Sequence, residues 1–282
     1  MFHRVIAKLD IKGPNLVKGI HLEGLRVLGR PEEFSKEYYK NGIDELIYMD
    51  VVASLYGRNS ILDLISRTAK NTFIPLTVGG GLRSCSDIQD VLRAGADKVS
   101  INTAAVKNPE LINQAAHYFG SSTIVVTIEA IKQPDGSYEA FIDNGREETG
   151  LEVLEWAKKV ALLGAGEIVI TSVDQDGTGS GFDIELTKAV SEAVDIPVIA
   201  SGGAGSADHV VDVIKKGNAD VVAVASLLHY EHIYNTDDLG HSDFEGNVEF
   251  LKKKRSYGRI NPVNILDLKK HLFKNEVLCR VK

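Results

Sequence analysis

Two stretches of this chain, 122 residues apart, carry nearly the same text, and each ends an apolar run in a glycine cluster. The first is Ile74-Pro75-Leu76-Thr77-Val78-Gly79-Gly80-Gly81, followed after a helical stretch by Ala96-Asp97-Lys98-Val99-Ser100-Ile101-Asn102-Thr103. The second is Ile196-Pro197-Val198-Ile199-Ala200-Ser201-Gly202-Gly203, followed by Ala219-Asp220-Val221-Val222-Ala223-Val224-Ala225-Ser226. Pro75 pairs with Pro197, Gly80 with Gly202, Gly81 with Gly203 and Gly95 with Gly217; one inserted residue then pairs Asp97 with Asp220 and Thr103 with Ser226. Such a repeat restricts the chain to architectures built from two similar halves. Glycine turns let backbone amides approach an anion closely, and a following helix adds the positive end of its dipole. Two of them in register imply two facing anion sites, and therefore a ligand with a phosphate at each end.

The rest of the chain follows the same rhythm. Eight apolar runs, at 4–9, 45–49, 75–78, 98–101, 123–128, 167–171, 197–200 and 220–224, are continuous rather than alternating, as expected of parallel strands covered on both faces. Amphipathic stretches between them predict helices near 31–41, 59–70, 86–94, 109–118, 150–163, 184–193, 207–216 and 263–274. Eight strands alternating with eight helices predict a closed α/β (β/α)8 TIM barrel made of two (β/α)4 halves, one domain across 1–282. A doubly wound open sheet explains less, since it gives the two repeated halves unequal surroundings. The stretch 229–261 breaks the pattern as a polar insertion between the last strand and last helix, and its run Lys252-Lys253-Lys254-Arg255 reads as a solvated face.

A 282-residue chain suits one such barrel, which commonly takes about 250 residues. Its net charge of −7 argues against a nucleic-acid or membrane-surface partner. Cys85 and Cys279 match no metal or redox spacing, which fits a reducing cytoplasm. With no long apolar stretch, neither a membrane span nor a signal peptide is expected.

Barrels of this kind place reactive groups where strands end. Asp10 and Glu129 each end an apolar strand and occupy corresponding places in the two halves. A carboxylate there costs desolvation energy unless it is used or paired, and two opposed carboxylates can divide the roles of base and acid. A lone carboxylate at such a place is more often a loop cap; the symmetric pair favours catalysis. Asp50, Asp174 and Asp176 are further strand-end candidates. Gly80, Gly81, Asn102 and Thr103 predict one anion site, and Gly202, Gly203, Ala225 and Ser226 the other. The acid- and glycine-rich loop 174–181, with Asp174, Asp176 and Gly177, reads as a flexible cover over substrate. Calcium binding there lacks a distal glutamate ligand. Residues 12–19 have the character of a mobile lid carrying Lys18 to an anion. No metal and no cofactor are expected.

With these residues placed, the chain resembles the cyclase subunit of imidazole glycerol phosphate synthase from about Arg4 to Glu231. The stretches Asn41-Gly42-Ile43-Asp44-Glu45-Leu46, Thr77-Val78-Gly79-Gly80-Gly81, Asp97-Lys98-Val99-Ser100-Ile101-Asn102-Thr103 and Asp174-Gln175-Asp176-Gly177-Thr178 carry the likeness. The resemblance implies a cytoplasmic lyase of histidine biosynthesis that takes ammonia from a glutaminase partner. It converts a bis-phosphorylated formimino carboxamide ribonucleotide to imidazole glycerol phosphate and an aminoimidazole carboxamide ribonucleotide. Asp10 would be its base, and the position of Glu129 its acid. Arg4, Glu45, Lys98 and Glu167, at the starts of four strands, match a charged ring that in the family gates an ammonia passage. The glutaminase would dock on that N-terminal face. The bland reading of the same four is a salt-bridge plug.

Three features depart from the family pattern. The family has Asp where this chain has Glu129, and a displacement of about 1 Å can cost about a hundredfold in rate. The first loop reads Lys12-Gly13-Pro14-Asn15, where the family has an acidic-glycine turn, and the 229–261 excursion is long. They motivate a second reading, a paralogue of surface-polysaccharide biosynthesis that serves as ammonia conduit and adaptor for an amidating enzyme. A third, the barrel isomerase of the same pathway, also fits a doubly phosphorylated substrate, but the charged ring has no use there.

Overall fold

The computed structural model describes residues 2–53, 61–236 and 259–281. Its barrel strands are β1 (Arg4–Lys12), β4 (Glu45–Asp50), β5 (Leu76–Gly79), β6 (Lys98–Ile101), β7 (Ile124–Lys132), β10 (Glu167–Ser172), β11 (Val198–Ser201) and β12 (Val221–Val224). They pair in parallel in the order β10-β11-β12-β1-β4-β5-β6-β7, and β7 pairs back onto β10, closing the ring. The chain is therefore the (β/α)8 barrel that the apolar runs predict.

Successive strand residues point to opposite faces, so closure sorts each strand into an inner and an outer set. Ile6, Ile47, Val125, Val169, Ile199, Val221 and Ala223 form an inner apolar cluster, separate from the larger cluster that joins the sheet to the helices. The parity has a consequence for the polar residues. Arg4, Lys8 and Asp10 share the inward face of β1 with Ile6, Glu45 shares that of β4 with Ile47, and Glu129 shares that of β7 with Val125.

The repeat survives in three dimensions. Both β1 and β7 are nine-residue strands that outrun the barrel rim and fold back as antiparallel hairpins. These are β2 (Asn15–Ile20) with β3 (Glu23–Gly29), and β8 (Tyr138–Ile142) with β9 (Glu147–Glu152). At strand starts, Asp97 accepts a hydrogen bond from the Leu76 amide at 2.8 Å, and its counterpart Asp220 accepts from the Val198 amide at 3.0 Å. The hairpins correct one expectation. Residues 12–19, read as a mobile lid, belong to a paired ladder, Asp10 facing Val17 and Ile11 facing Leu16. Their lysines and glycines hide the strand pattern, and the turn at His21-Leu22 lacks the usual turn residues.

Among the described residues the α-helices are α1 (Pro31–Lys40), α2 (Leu62–Ala69), α3 (Cys85–Ala94), α4 (Thr103–Lys107), α5 (Glu110–Phe119), α6 (Val153–Leu162), α7 (Ile184–Ala193), α8 (Ala207–Lys215), α9 (Ser226–Asn235) and α10 (Ile265–Lys274). The sequence does not announce α4 and α9. Helix α9 takes in residues from 229 onward that read as polar insertion, yet His229 is fully buried and its Nδ1 lies 2.6 Å from the Tyr38 hydroxyl. Residues 237–258 of that insertion, including the basic run 252–255, lie outside the described residues; Asn261 donates its amide to the Gly205 carbonyl.

Helix α10 secures the ring where β1 and β4 begin. Lys269 is only 2% exposed, and its Nζ donates to the Gly42 carbonyl and to Asp44 Oδ1, each at 2.7 Å. The other oxygen of Asp44 accepts from the Val5 amide at 2.8 Å. Asp44 keeps a weaker, exposed partner in Arg280 at 3.4 Å, so losing Lys269 should cost at the low end of the about 3–5 kcal/mol typical of breaking a buried ion pair. Lys269→Met should therefore lower the urea midpoint by an amount equivalent to about 3 kcal/mol; an unchanged midpoint would show that the C-terminal helix does not tie the barrel shut.

Candidate active site

The two glycine turns fold alike. Gly80 and Gly202 have φ of 104° and 92°, and Gly81 and Gly203 have 71° and 105°. The caps that follow, Ser84 and Ser206, sit at φ/ψ of −146°/162° and −151°/166°, each hydroxyl accepting an amide of its helix. One unit later, Asn102 and Ala225 share an unusual conformation, −131°/−84° and −125°/−87°, and neither side chain caps the helix it precedes. The first-turn amides of α4 and α9 are thus left without a side-chain acceptor, a condition that suits an anion. Glycine is required by space as well as by φ. A Cβ on Gly80 would lie 2.3 Å from the Asp50 carbonyl oxygen, and one on Gly203 would lie 1.9 Å from that of Gly181.

Each turn opens on its own cavity. One, of about 360 Å³, is lined by Asp50, Gly80, Gly81, Asn102, Thr103 and Glu129, with Arg83 and Lys107 at its edge. The other, only about 20 Å³, is lined by Lys8, Lys18, Asp176, Gly177, Gly202, Gly203, Ala225 and Ser226. The residues expected from the repeat thus divide between two cavities at one mouth. Asp174 stands apart, exposed, with Oδ2 accepting from the Lys132 amide at 2.9 Å. Asp50 lines the first cavity but also accepts from the amides of Val52 and Ala53 at 3.2 and 3.1 Å, a loop-capping duty. The loop 174–181 is pinned by turns such as the Thr178 amide to the Gln175 carbonyl, and Gly177 packs against Gly19 of the first hairpin.

Between the cavities the electrostatics are asymmetric. Asp10 is 2% exposed, with Lys8 Nζ at 3.3 Å and Lys18 Nζ at 3.4 Å. Burial alone would raise its pKa, but Lys8 and Lys18 outweigh burial and hold the carboxyl below its ordinary value. Lys18 also reaches Asp176 Oδ1 at 2.6 Å, and against the opposing effect of burial the two carboxylates push its pKa up. Among the described residues Glu129 makes no direct ion pair, and Lys8 lowers its pKa only from a distance. Burial pushes it up to about 7, offset in part by the Gly145 amide donating to Oε2 at 2.8 Å. Asp10 is therefore the stronger of the two acids and Glu129 the weaker. Sequence reasoning missed Lys8. Its two-residue spacing from Asp10 on an inward-facing strand is the signal that could have found it.

At the opposite end Arg4, Glu45, Lys98 and Glu167 close into a square. Arg4 bonds to Glu45 and, at 2.6 Å, to Glu167; Lys98 lies 3.3 Å from Glu45 and 3.0 Å from Glu167. Both glutamates are buried and each bridges both cations. Above this ring lies the inner apolar cluster, then a hydroxyl layer in which Ser100 and Thr127 bond at 2.7 Å. Among the described residues no cluster of three His, Cys, Asp or Glu is placed to hold a metal ion, and no helix is long and apolar enough to cross a membrane.

The raised pKa of Glu129 ties stability to pH. A group whose folded value of about 7 exceeds its ordinary 4.5 contributes stability present below the lower value and lost as pH rises through the upper. Glu129→Gln, which copies the neutral form, should match the parent's melting temperature near pH 4 and exceed it near pH 8 by the equivalent of about 1–2 kcal/mol. A variant no more stable at the higher pH would contradict the strained acid.

Residues 4–234 match the model of the family described as "Histidine biosynthesis protein". A relative from Legionella pneumophila named "Imidazole glycerol phosphate synthase subunit HisF" is 60% identical over 202 residues, which span 72% of this chain and 95% of the relative. Fold, repeat and site geometry agree with that assignment: the chain is a member of the histidine biosynthesis protein family.

Proposed function

We propose that this chain is the cyclase subunit of an imidazole glycerol phosphate synthase. In this reading it is a lyase that combines ammonia with a bis-phosphorylated formimino carboxamide ribonucleotide and releases imidazole glycerol phosphate and an aminoimidazole carboxamide ribonucleotide. The observation that carries it is a pair of strand-end carboxyl groups in unlike surroundings, two lysines on Asp10 and a backbone amide on Glu129, set between two matched amide turns. Incorporating ammonia and breaking the formimino link require one group to take a proton and another to give one. Asp10, held ionised by Lys8 and Lys18, suits the base; Glu129, with its value near 7, suits the acid. Gly80, Gly81, Asn102 and Thr103 would cradle one phosphate, and Gly177, Gly202, Gly203, Ala225 and Ser226 the other.

Ammonia would enter from the opposite end through the ring of Arg4, Glu45, Lys98 and Glu167, supplied by a glutaminase docked there. The distribution of exposed apolar side chains supports that face. Phe2 precedes β1, Phe73 precedes β5, and Tyr118, Leu162 and Phe273 end α5, α6 and α10, so all lie at the end of the barrel where strands begin. They are 61–88% exposed, an apolar surface that a partner would cover. The same proposal takes the chain as one barrel across 1–282, at work in the cytoplasm. Identity of 60% to a subunit so named favours the cyclase over the conduit and adaptor reading.

Purified protein given the formimino substrate and ammonium salt should turn it over without any partner. Failure to do so, together with normal stimulation of a partner glutaminase, would remove the cyclase reading and leave the adaptor. Asp10→Asn should lower kcat by about a hundredfold to ten-thousandfold while substrate still binds. Full activity in that variant would exclude Asp10 as the base.

A further inference from the structure

The two hairpins that outrun the barrel meet each other over the mouth, through one side chain. The turn of the second hairpin holds three consecutive residues in the left-handed region, Asp143, Asn144 and Gly145, at φ of 52°, 63° and 74°. The turn of the first holds two more, His21 and Leu22, at 53° and 61°. Non-glycine residues in that region persist only where their surroundings hold them. His21 is held by the Asp176 and Val173 carbonyls and Asp143 by Thr103 and Lys107, and the two turns also hold each other. Asn144 Nδ2 donates to the Leu22 carbonyl at 2.8 Å, and the Leu22 side chain packs against Gly145.

Each turn also controls one of the interior carboxyl groups. Gly145, next to Asn144, donates its amide to Glu129 Oε2 at 2.8 Å. The first hairpin carries Lys18, which lies 3.4 Å from Asp10, and His21 anchors it by donating its amide to the Asp176 carbonyl at 2.8 Å. A continuous chain of contacts therefore runs from Glu129 through Gly145, Asn144 and Leu22 to the hairpin that carries Lys18 to Asp10. Asn144 lines the larger cavity as well, so its amide stands at the edge of the space the substrate would fill.

We propose that Asn144 is a positioning residue: its amide clasps the two hairpins together and thereby steadies the Gly145 amide on Glu129 and Lys18 beside Asp10. It touches neither carboxyl group; it acts through the Gly145 amide and the first hairpin. Asn suits the place because it accepts left-handed backbone and carries a donor, where most side chains offer only one of the two. This inference rests on the cyclase reading for its kinetic readout but not for its structural one.

Asn144→Asp tests it, since Asp keeps the size and the tolerance of left-handed φ but cannot donate to the Leu22 carbonyl. Released from the clasp, the Gly145 amide no longer holds the Glu129 side chain in one place. The expected outcome is a fall in kcat of about tenfold to a hundredfold, because displacements near 1 Å reach that scale. KM should stay within about threefold, since binding of ground and transition states is not weakened equally. Amide hydrogen exchange should quicken at 19–24 in the first hairpin as well as at 143–146 in the second. Asn144→Gly, which keeps the backbone conformation and loses the donor, should reproduce both effects. Unchanged exchange at 19–24 in both variants would overturn the clasp, as would a kcat equal to that of the parent. If the parent itself shows no turnover, the cyclase reading falls and the exchange at 19–24 alone decides the clasp.

Discussion

Closure of eight parallel strands into a ring is the constraint on which everything else in this protein depends. Once the ring closes, strand alternation leaves no freedom in the direction of a side chain, and a single strand threads the molecule from end to end. Along β1, Arg4 joins the charged ring, Ile6 the inner apolar layer, and Lys8 and Asp10 the mouth. A shift of register by one residue would turn all four outward into the helix layer. The apolar cluster that excludes water from the barrel axis also makes an unpaired carboxylate expensive at either end. That expense accounts for the four-cornered pairing below and the cationic company of Asp10 above.

The mouth combines symmetry with a break in symmetry. Its glycine-turn backbone is duplicated closely, down to the conformations of Asn102 and Ala225. Its carboxyl groups occupy corresponding strands but different fields. Two lysines reach Asp10, whereas Glu129 is served chiefly by a backbone amide. Corresponding positions in the two halves thus hold acids of different strength, as a reaction needing both a donor and an acceptor of protons requires. The duplicated backbone suits a substrate with two like ends, and the unequal fields suit chemistry with a direction.

Much of this was legible in the linear text because it rests on local rules. Continuous Val/Ile/Leu runs mark buried parallel strands, and paired glycine clusters mark turns where a side chain would collide with neighbouring backbone. Asp10 and Glu129 stood out as acids ending apolar strands. Less legible were elements whose order comes from partners distant in sequence. The first hairpin reads as a loop because its strands carry lysine and glycine, yet it is held by β1 and by the Asp176 loop. Helix α9 reads as polar because His229 and Tyr230 count as such, yet Tyr38 supplies the bond that lets His229 be buried.

The sequence by itself determined the barrel, the doubling of its halves, the two glycine turns and the carboxylates that end two of the strands. Hydrophobic period, glycine placement and strand-end carboxylates are properties of neighbouring residues. Only the tertiary structure decided that Lys18 reaches both Asp10 and Asp176, that burial raises the pKa of Glu129, and that Asp174 faces solvent. It alone showed that the hairpins meet through Asn144. These depend on distances between residues separated by up to 158 positions, as in Lys18 with Asp176. Coulomb energy and desolvation are set by such distances in space, and no local pattern in the chain encodes them.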